Sequence, residues 1–280
     1  MTILVLGGTG KTGRRVVERL RQVGHDVRPA SRSTPTRFDW NDENTWEPVL
    51  AGVRAAYLVD SGDTDADGAC LLANFGKLAA AGGVQRLVLL SARDWAVSGG
   101  EDMLAGERAV QDSGTAWTLL RPTWFQQNFS EEPFLRDPVR RGEVVLATGG
   151  GLEPFISAED IADVAVAALT EDGHEGHVYE LSGPRLLGWR EAIDTIASAT
   201  GRTITYRPVS TEEYVAHATA HGLPAGAAEV VAMLSGWIAE GRNAHLSDGV
   251  QRVLGREPRD ITDYVTATAP TGVWNLEGTH

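Results

Sequence analysis

The chain has 280 residues, 42% hydrophobic and 22% charged, which suits one large globular domain or a core domain with an appendage. A formal net charge of −13 argues against sequence-independent binding to nucleic acid and docking on anionic lipid, both of which need a basic face. With Cys70 as the single cysteine, neither an intramolecular disulfide nor a Cys-based zinc site can be assembled.

The first stretch, Thr2 to Arg15, reads TILVLGGTGKTGRR. Ile3 to Leu6 suit a buried parallel strand that stops at Gly7-Gly8, and Thr9 to Gly13 form a tight turn into a helix bearing Val16, Val17 and Leu20. His25 to Ala30 reads as a second strand, followed by Ser31-Arg32-Ser33. Thr36 to Trp40 reads as a third strand and Asn41 to Leu50 as a helix. Arg54 to Val59 and Val84 to Leu90 read as the fourth and fifth strands, with a helix over Asp65 to Ala81 between them. A helix over Asp102 to Ser113 and a strand over Ala116 to Leu120 complete the run. Apolar strands alternating with helices predict an α/β fold, a doubly wound parallel sheet with ligands at its carboxyl edge.

Beyond Phe125 the pattern loosens. Helices are expected at Glu131 to Arg141, Ala158 to Leu169, Trp189 to Thr200, Thr211 to His221 and Ala225 to Glu240, with strands at Val178 to Ser182 and Thr203 to Pro208. Shorter helices are expected near Ser247 to Leu254 and Arg259 to Ala267. The expected division is a dinucleotide-binding core over residues 1–125 and a smaller, mostly helical substrate-binding portion over 126–280, some segments returning to the sheet. The opening strand leaves no room for a leader, and no apolar run reaches the ~20 residues that span a bilayer, so a cytoplasmic protein is expected.

Strand, glycine turn and helix start make an anion cradle, because free N–H groups and the positive helix end converge there. Gly10-Lys11-Thr12 suggests a triphosphate loop, but Val5 stands where that motif needs its first glycine. The dinucleotide fingerprint fits in two registers, Gly8-x-Gly10-x-x-Gly13 and Gly7-x-x-Gly10-x-x-Gly13. Lys11 is then a bystander or an outer-phosphate contact. After the second strand, Arg32 between hydroxyl neighbours such as Ser33 points to a 2′-phosphate, hence NADP(H), with NAD(H) as the alternative. An ordinary surface arginine is the plain reading of the same residue. Asp39, beside Trp40, suits either the adenine amine or a helix cap.

These segments, with FDWNDENTW, AYLV, LVLLSARD, WTLLRPTWFQQNF, ISAEDIADVAVAAL and VYELSGPRLLGWREAIDTIASATGR, resemble the NmrA-like family of atypical short-chain dehydrogenases. The likeness runs from Met1 to about Arg207 and comes nearest to reductases of ergot alkaloid biosynthesis, beside quinone oxidoreductases and NADP-sensing regulators. The resemblance implies that Gly7, Thr9, Gly10, Thr12, Gly13, Arg32, Asp39, Val59, Asp60 and Ser91 line the cofactor and that Phe155 closes over the nicotinamide. One departure is informative. The wider superfamily carries Tyr-x-x-x-Lys on the helix after the fifth strand, whereas here the tyrosines are Tyr57, Tyr179, Tyr206, Tyr214 and Tyr264, and the lysines are Lys11 and Lys77. An alkoxide product needs a positioned acid. A quinone or an iminium ion takes hydride without one.

Trp124, Phe125, Gln127 and Asn128 are substrate candidates, the aromatics to stack and the amides to orient oxygens, although core packing and turn capping explain them equally. Ser91, Asn128 and Trp124 are the candidate catalytic residues, and Tyr214 and Trp237 line a lid or pack in a helix core. His217 and His221 at i, i+4 lack the intervening glutamate of a zinc protease, so no metal is expected. The expected activity is NAD(P)H-dependent reduction of a quinone-like or aromatic natural-product intermediate, including a variant in which the reduced product reacts with oxygen. The competing expectation is a non-catalytic regulator that senses NADP(H). Either would act as a monomer or homodimer.

Overall fold

The computed structural model describes residues 1–59, 68–97 and 100–276. Asp60 and the first residues of the helix expected from Asp65 lie outside them. β1 (Thr2–Leu6), α1 (Lys11–Gln22), β2 (Asp26–Ala30), α2 (Trp46–Leu50), β3 (Val53–Val59) and α3 (Gly68–Ala81) come first. β4 (Arg86–Leu90), α4 (Arg93–Val97), α5 (Ala105–Gln111) and β5 (Ala116–Pro122) follow. Next are α6 (Asn128–Glu131), α7 (Pro133–Arg141), β6 (Glu143–Leu146), β7 (Leu152–Glu153), α8 (Ala158–Thr170) and β8 (His177–Leu181). The remainder holds β9 (Leu187–Gly188), α9 (Trp189–Thr200), β10 (Thr205–Pro208), α10 (Thr211–Ala220), α11 (Ala225–Ala239), α12 (Gly249–Leu254) and α13 (Ile261–Thr268).

The chain divides into two compact units. The first comprises Met1–Pro122, Ala158–Leu181 and Asp248–Arg256; the second comprises Thr123–Ser157, Ser182–Ser247 and Glu257–His280. In the first unit six strands form a parallel sheet in the order β2-β1-β3-β4-β5-β8. Its strands are near-continuous apolar runs because helices cover both faces, and Ile3 to Leu6 are fully buried. β2 lies on one side of β1 and β3 on the other, so the winding reverses there and opens a crevice at the carboxyl ends of β1 and β3.

The third strand expected over Thr36 to Trp40 does not form; the segment makes one isolated bridge, Ser31 to Arg37. Its alternating apolar residues serve an aromatic cluster instead. Phe38 meets Trp40 edge-on at 4.9 Å, and Trp46 and Phe75 close the group. Turn and side-chain bonds replace a strand ladder, with Asp39 N–H donating to the Thr45 hydroxyl at 3.0 Å and Trp46 Nε1 to the Asp39 carbonyl at 2.9 Å. The helices expected at Asn41 to Leu50 and Asp102 to Ser113 each begin as a 3₁₀ turn, at Glu43–Thr45 and Glu101–Leu104.

α1 and α8 are joined by charge. Arg15 donates to Glu159 at 2.6 Å, Arg19 pairs with both Glu159 and Asp163, and Arg256 reaches Asp160 and Asp163 at 2.7 Å each. Burial opposes the Glu159 charge but is outweighed by the two arginines, so its carboxyl titrates below its ordinary value of 4.5. A depressed carboxyl contributes stability that is present above its unfolded value and lost as pH falls through the folded one. Glu159→Gln should therefore lower the melting temperature at pH 7 by a few degrees at most, since the pair is partly solvated. The gap from wild type should narrow below about pH 4.5 in thermal scans across pH.

The second unit is built around α9. Its core gathers Trp124, Phe129, Phe155, Trp189, Ile193 and Tyr264, among others. β6 and β10 pair in parallel and β7 and β9 antiparallel, each as a two-stranded sheet. β6 is four residues long, too short to show a period in the sequence. The helix expected at Glu131 to Arg141 is divided into α6 and α7, with Pro133 at the first position of α7, where its missing N–H costs nothing.

Candidate cofactor and active site

Gly7 ends β1 with φ +62°, a conformation that a side chain disfavours. Gly10 N–H donates to the Gly7 carbonyl at 2.8 Å and so closes the turn. A Cβ on Gly13 would overlap the Gly7 carbonyl oxygen and stand 2.8 Å from its carbon. Of the two fingerprint registers, the geometry selects Gly7-x-x-Gly10-x-x-Gly13. Gly8 instead lies against Pro29 of β2, where a Cβ would come within 2.7 Å of the proline ring. Gly10, the N-cap of α1, has no side chain with which to cap the helix, and a helix start of this kind suits an anion.

A cleft of about 380 Å³ opens over this turn, lined by Gly7, Thr9, Gly10, the Ser31 to Ser33 loop, Phe38 to Asn41 and Val59. Ser31 ties the two loops together: its hydroxyl oxygen accepts from Thr9 at 3.4 Å and from the Ser33 N–H at 3.2 Å. Arg32 stands exposed at the rim. Asp39 accepts from Asn41 N–H at 3.1 Å and faces Arg37 at 3.7 Å, so it both supports the following turn and presents a carboxylate to the cleft. Trp40 donates to the Val59 carbonyl at 3.1 Å and thereby holds the end of β3. Lys11 is half-buried at the start of α1, and Thr12 is buried beneath the turn. The cradle, its arginine rim and its position at the winding reversal fit a dinucleotide.

Val59 also borders a second recess, with Leu90, Ser91, Trp95, Met103, Gly106 and Glu107. The Ser91 hydroxyl donates to Glu107 Oε1 at 2.6 Å, and Arg121 grips the same carboxylate through Nε at 2.8 Å and Nη2 at 2.5 Å. The bond to Glu107 raises the Arg121 pKa above its ordinary value, against the opposing effect of burial. Neither Glu107 nor Arg121 stood out from sequence. The available signal was Glu107 three residues before the buried Val110, on the covered face of α5. α5 reads AGERAVQ, with neither tyrosine nor lysine.

The remaining sequence candidates lie in the second unit. Trp124 packs edge-on against Trp189 at 5.2 Å and Phe155 does so at 5.0 Å, and both are core side chains. Phe125 bridges to Ile156, Gln127 is buried and donates to the Ser157 hydroxyl at 3.3 Å, and half-buried Asn128 opens α6. Tyr214 lines a pocket of about 190 Å³ with Phe134, Arg141, His217 and His221, and burial pushes its hydroxyl up to about 12. His217 is held below its ordinary value by burial and then by the charges of His221 and Arg207. Trp237 is half-buried under the Arg242 guanidinium at 5.4 Å. Among the described residues no group of three His, Cys, Asp or Glu could hold a metal, and no helix is long and apolar enough to cross a membrane.

A family model described as NAD(P)H-binding matches residues 7–172. The chain belongs to this NAD(P)H-binding family. It is 35% identical to "Uncharacterized oxidoreductase YesF" of Bacillus subtilis (strain 168) over 97% of each chain. It is 35% identical to "Festuclavine synthase I" of Penicillium roqueforti over 92% of this chain and 95% of that one. Among solved structures, the NADPH complex of the Escherichia coli quinone oxidoreductase QOR2 has the same fold, with a TM-score of 0.82 at 24% identity over 95% of this chain and 99% of the other.

Proposed function

We propose that this chain uses NADPH in preference to NADH to reduce a flat, activated small molecule, such as a quinone or an aromatic natural-product intermediate. The coarse activity stands on family and relatives: the chain is an NAD(P)H-dependent oxidoreductase. The finer reading is carried by one observation, the cleft that puts the Ser31 to Ser33 loop and Arg32 beside the glycine turn. A 2′-phosphate on the adenosine ribose calls for a guanidinium there, and the serine hydroxyls add donors. Gly7, Thr9, Gly10, Thr12 and Gly13 would hold the pyrophosphate, with Lys11 at its edge. Ser33, Asp39, Trp40 and Val59 would border the adenosine end of the cleft, and Ser91 the nicotinamide end. The bound nicotinamide supplies hydride; the chain supplies orientation.

An acceptor that needs no strong acid matches an α5 without tyrosine or lysine. Festuclavine synthase I, named for an alkaloid product, and QOR2, named for quinones, bracket that acceptor class. Trp124, Phe125, Gln127, Asn128, Tyr214 and Trp237 remain the proposed substrate-side residues, the buried ones through shape rather than direct exposure. The catalytic set of Ser91, Asn128 and Trp124 would position rather than protonate.

Arg32→Ala should weaken NADPH binding about 10-fold while changing NADH less than twofold, the loss of one charge-assisted contact. Fluorescence titration of both cofactors reads this directly, and equal losses would refute the 2′-phosphate assignment. A quinone and polycyclic-aromatic panel, followed by NADPH oxidation and oxygen uptake, tests the activity. Binding without consumption across the panel would instead identify a cofactor-sensing regulator. Oxygen uptake dependent on both substrate and NADPH would identify reduction-coupled hydroxylation.

A further inference from the structure

By resemblance Ser91 matches the serine that a short-chain dehydrogenase presents to its ligand, yet its only hydroxyl hydrogen is taken by a side chain of this protein. Its Oγ donates to Glu107 Oε1 at 2.6 Å, a short bond of the charge-assisted kind. Arg121 donates to both oxygens of that carboxylate, so Glu107 is the acceptor in all three bonds. The Glu107 side chain is 5% exposed and that of Arg121 18%. Turning the hydroxyl toward a ligand would leave a buried carboxylate short of a donor, which is costly. The backbone is fixed as well, because Ser91 N–H donates to the Leu120 carbonyl at 2.8 Å. What remains for the recess is the pair of Oγ lone pairs, set among Val59, Leu90, Trp95 and Met103.

We propose that Glu107 and Arg121 are positioning residues that lock Ser91 as a hydrogen-bond acceptor, so that the recess selects a ligand group bearing an N–H and offers nothing to a carbonyl oxygen or a developing oxyanion. The N–H can come from the nicotinamide carboxamide or from a protonated nitrogen on the hydride acceptor. This rests on the reading that the recess receives the nicotinamide end of NADPH. It also gives Ser91 a use without a tyrosine partner: recognition, not proton transfer.

The test uses the full chain and two pairs of probes. The first arm compares binding of NADPH with binding of reduced 3-acetylpyridine adenine dinucleotide phosphate, in which a methyl ketone replaces the amide. The second compares kcat/KM for protonated 3,4-dihydroisoquinoline with that for 1,4-naphthoquinone. Ser91→Ala should cut the wild-type preference for the N–H-bearing probe about 5-fold in one arm, the size of one ordinary hydrogen bond. The arm that moves names the source of the N–H. Glu107→Gln, which lets an amide donate to Ser91 and frees the hydroxyl to turn, should move the same ratio in the same direction. Ser91→Ala removes no buried charge partner, so it keeps the test open if Glu107→Gln does not fold. The inference is overturned if neither ratio moves by more than twofold, or if Ser91→Ala lowers kcat with naphthoquinone 100-fold, the signature of a lost oxyanion donor. Failure of the wild type to bind NADPH would overturn the cofactor reading and this inference with it, whereas normal binding with unmoved ratios overturns this inference alone.

Discussion

Gly13→Ala should abolish measurable NADPH binding, a loss of at least 100-fold, while the protein stays folded at room temperature. The added methyl would overlap the Gly7 carbonyl oxygen and approach its carbon within 2.8 Å and the Gly8 Cα within 3.1 Å, all of them backbone atoms. A side chain can rotate out of such a collision, but a turn must open. Opening it moves Gly7 and Gly10, which line the cleft, and shifts the N-terminus of α1 away from where a phosphate would sit. The stability cost should be ~1–3 kcal/mol, the usual range for forced overpacking, since the buried strand β1 continues to anchor the turn. Gly10→Ala is the control. Its Cβ would come no closer than 3.1 Å to the Gly7 oxygen, so it should cost much less stability, although Gly10 also lines the cleft. Cofactor titration with parallel thermal melts separates the two effects. Equal stability losses for Gly10→Ala and Gly13→Ala would show that helix and strand do not meet as closely as described.

The glycine turn was legible because backbone geometry leaves few residues able to make it. A strand that must reverse into a helix needs a left-handed φ at Gly7 and no Cβ at Gly13, so the requirement is written as residue identity. The sheet was legible for a similar reason, since strands buried on both faces must be apolar throughout. Which glycine led the fingerprint was not. Gly7 and Gly8 are chemically alike, and only the fold puts one at the turn and the other against Pro29. Thr36 to Trp40 misled because Phe38 and Trp40 are both buried at alternate positions, which is also the signature of a strand. Their burial comes from a non-local cluster with Trp46 and Phe75, and no local period reports that. Glu107 and Arg121 were hidden by the same limit. Fourteen positions separate them, and a buried ion pair has no local signal beyond a charge on an apolar face.

These two charges bear on chemistry as well as on packing. The tyrosine and lysine of the wider superfamily would act from the helix that here carries Glu107, and that carboxylate is committed to Arg121 and Ser91. A site arranged in this way orients its ligand and leaves the proton balance to an acceptor that does not demand an acid. The substrate class proposed above draws support from what α5 contains as well as from what it lacks.

Trp189→Ala should lower stability by ~3–5 kcal/mol, the range for removing a large aromatic from a core. Trp189 is 2% exposed and is the shared neighbour of Trp124, Phe129 and Phe155, at 5.2, 5.6 and 5.0 Å. Three rings facing one vacated site cannot all collapse into it without leaving their own contacts. Trp189→Phe should cost far less, under ~2 kcal/mol. It keeps an aromatic in the cluster, and it also removes an indole N–H that is buried with no hydrogen-bond partner among the described residues. Urea denaturation of both variants measures the difference. Because Gly7, Gly13, Arg32 and Ser91 all belong to the first unit, NADPH affinity should stay within about threefold of wild type at temperatures where the alanine variant is still folded. A larger affinity loss in Trp189→Ala than in Arg32→Ala would mean that the second unit, through the cluster holding Phe155 and Trp124, contributes directly to cofactor binding. The aromatic residues of WTLLRPTWFQQNF would then act in cofactor binding as well as in packing.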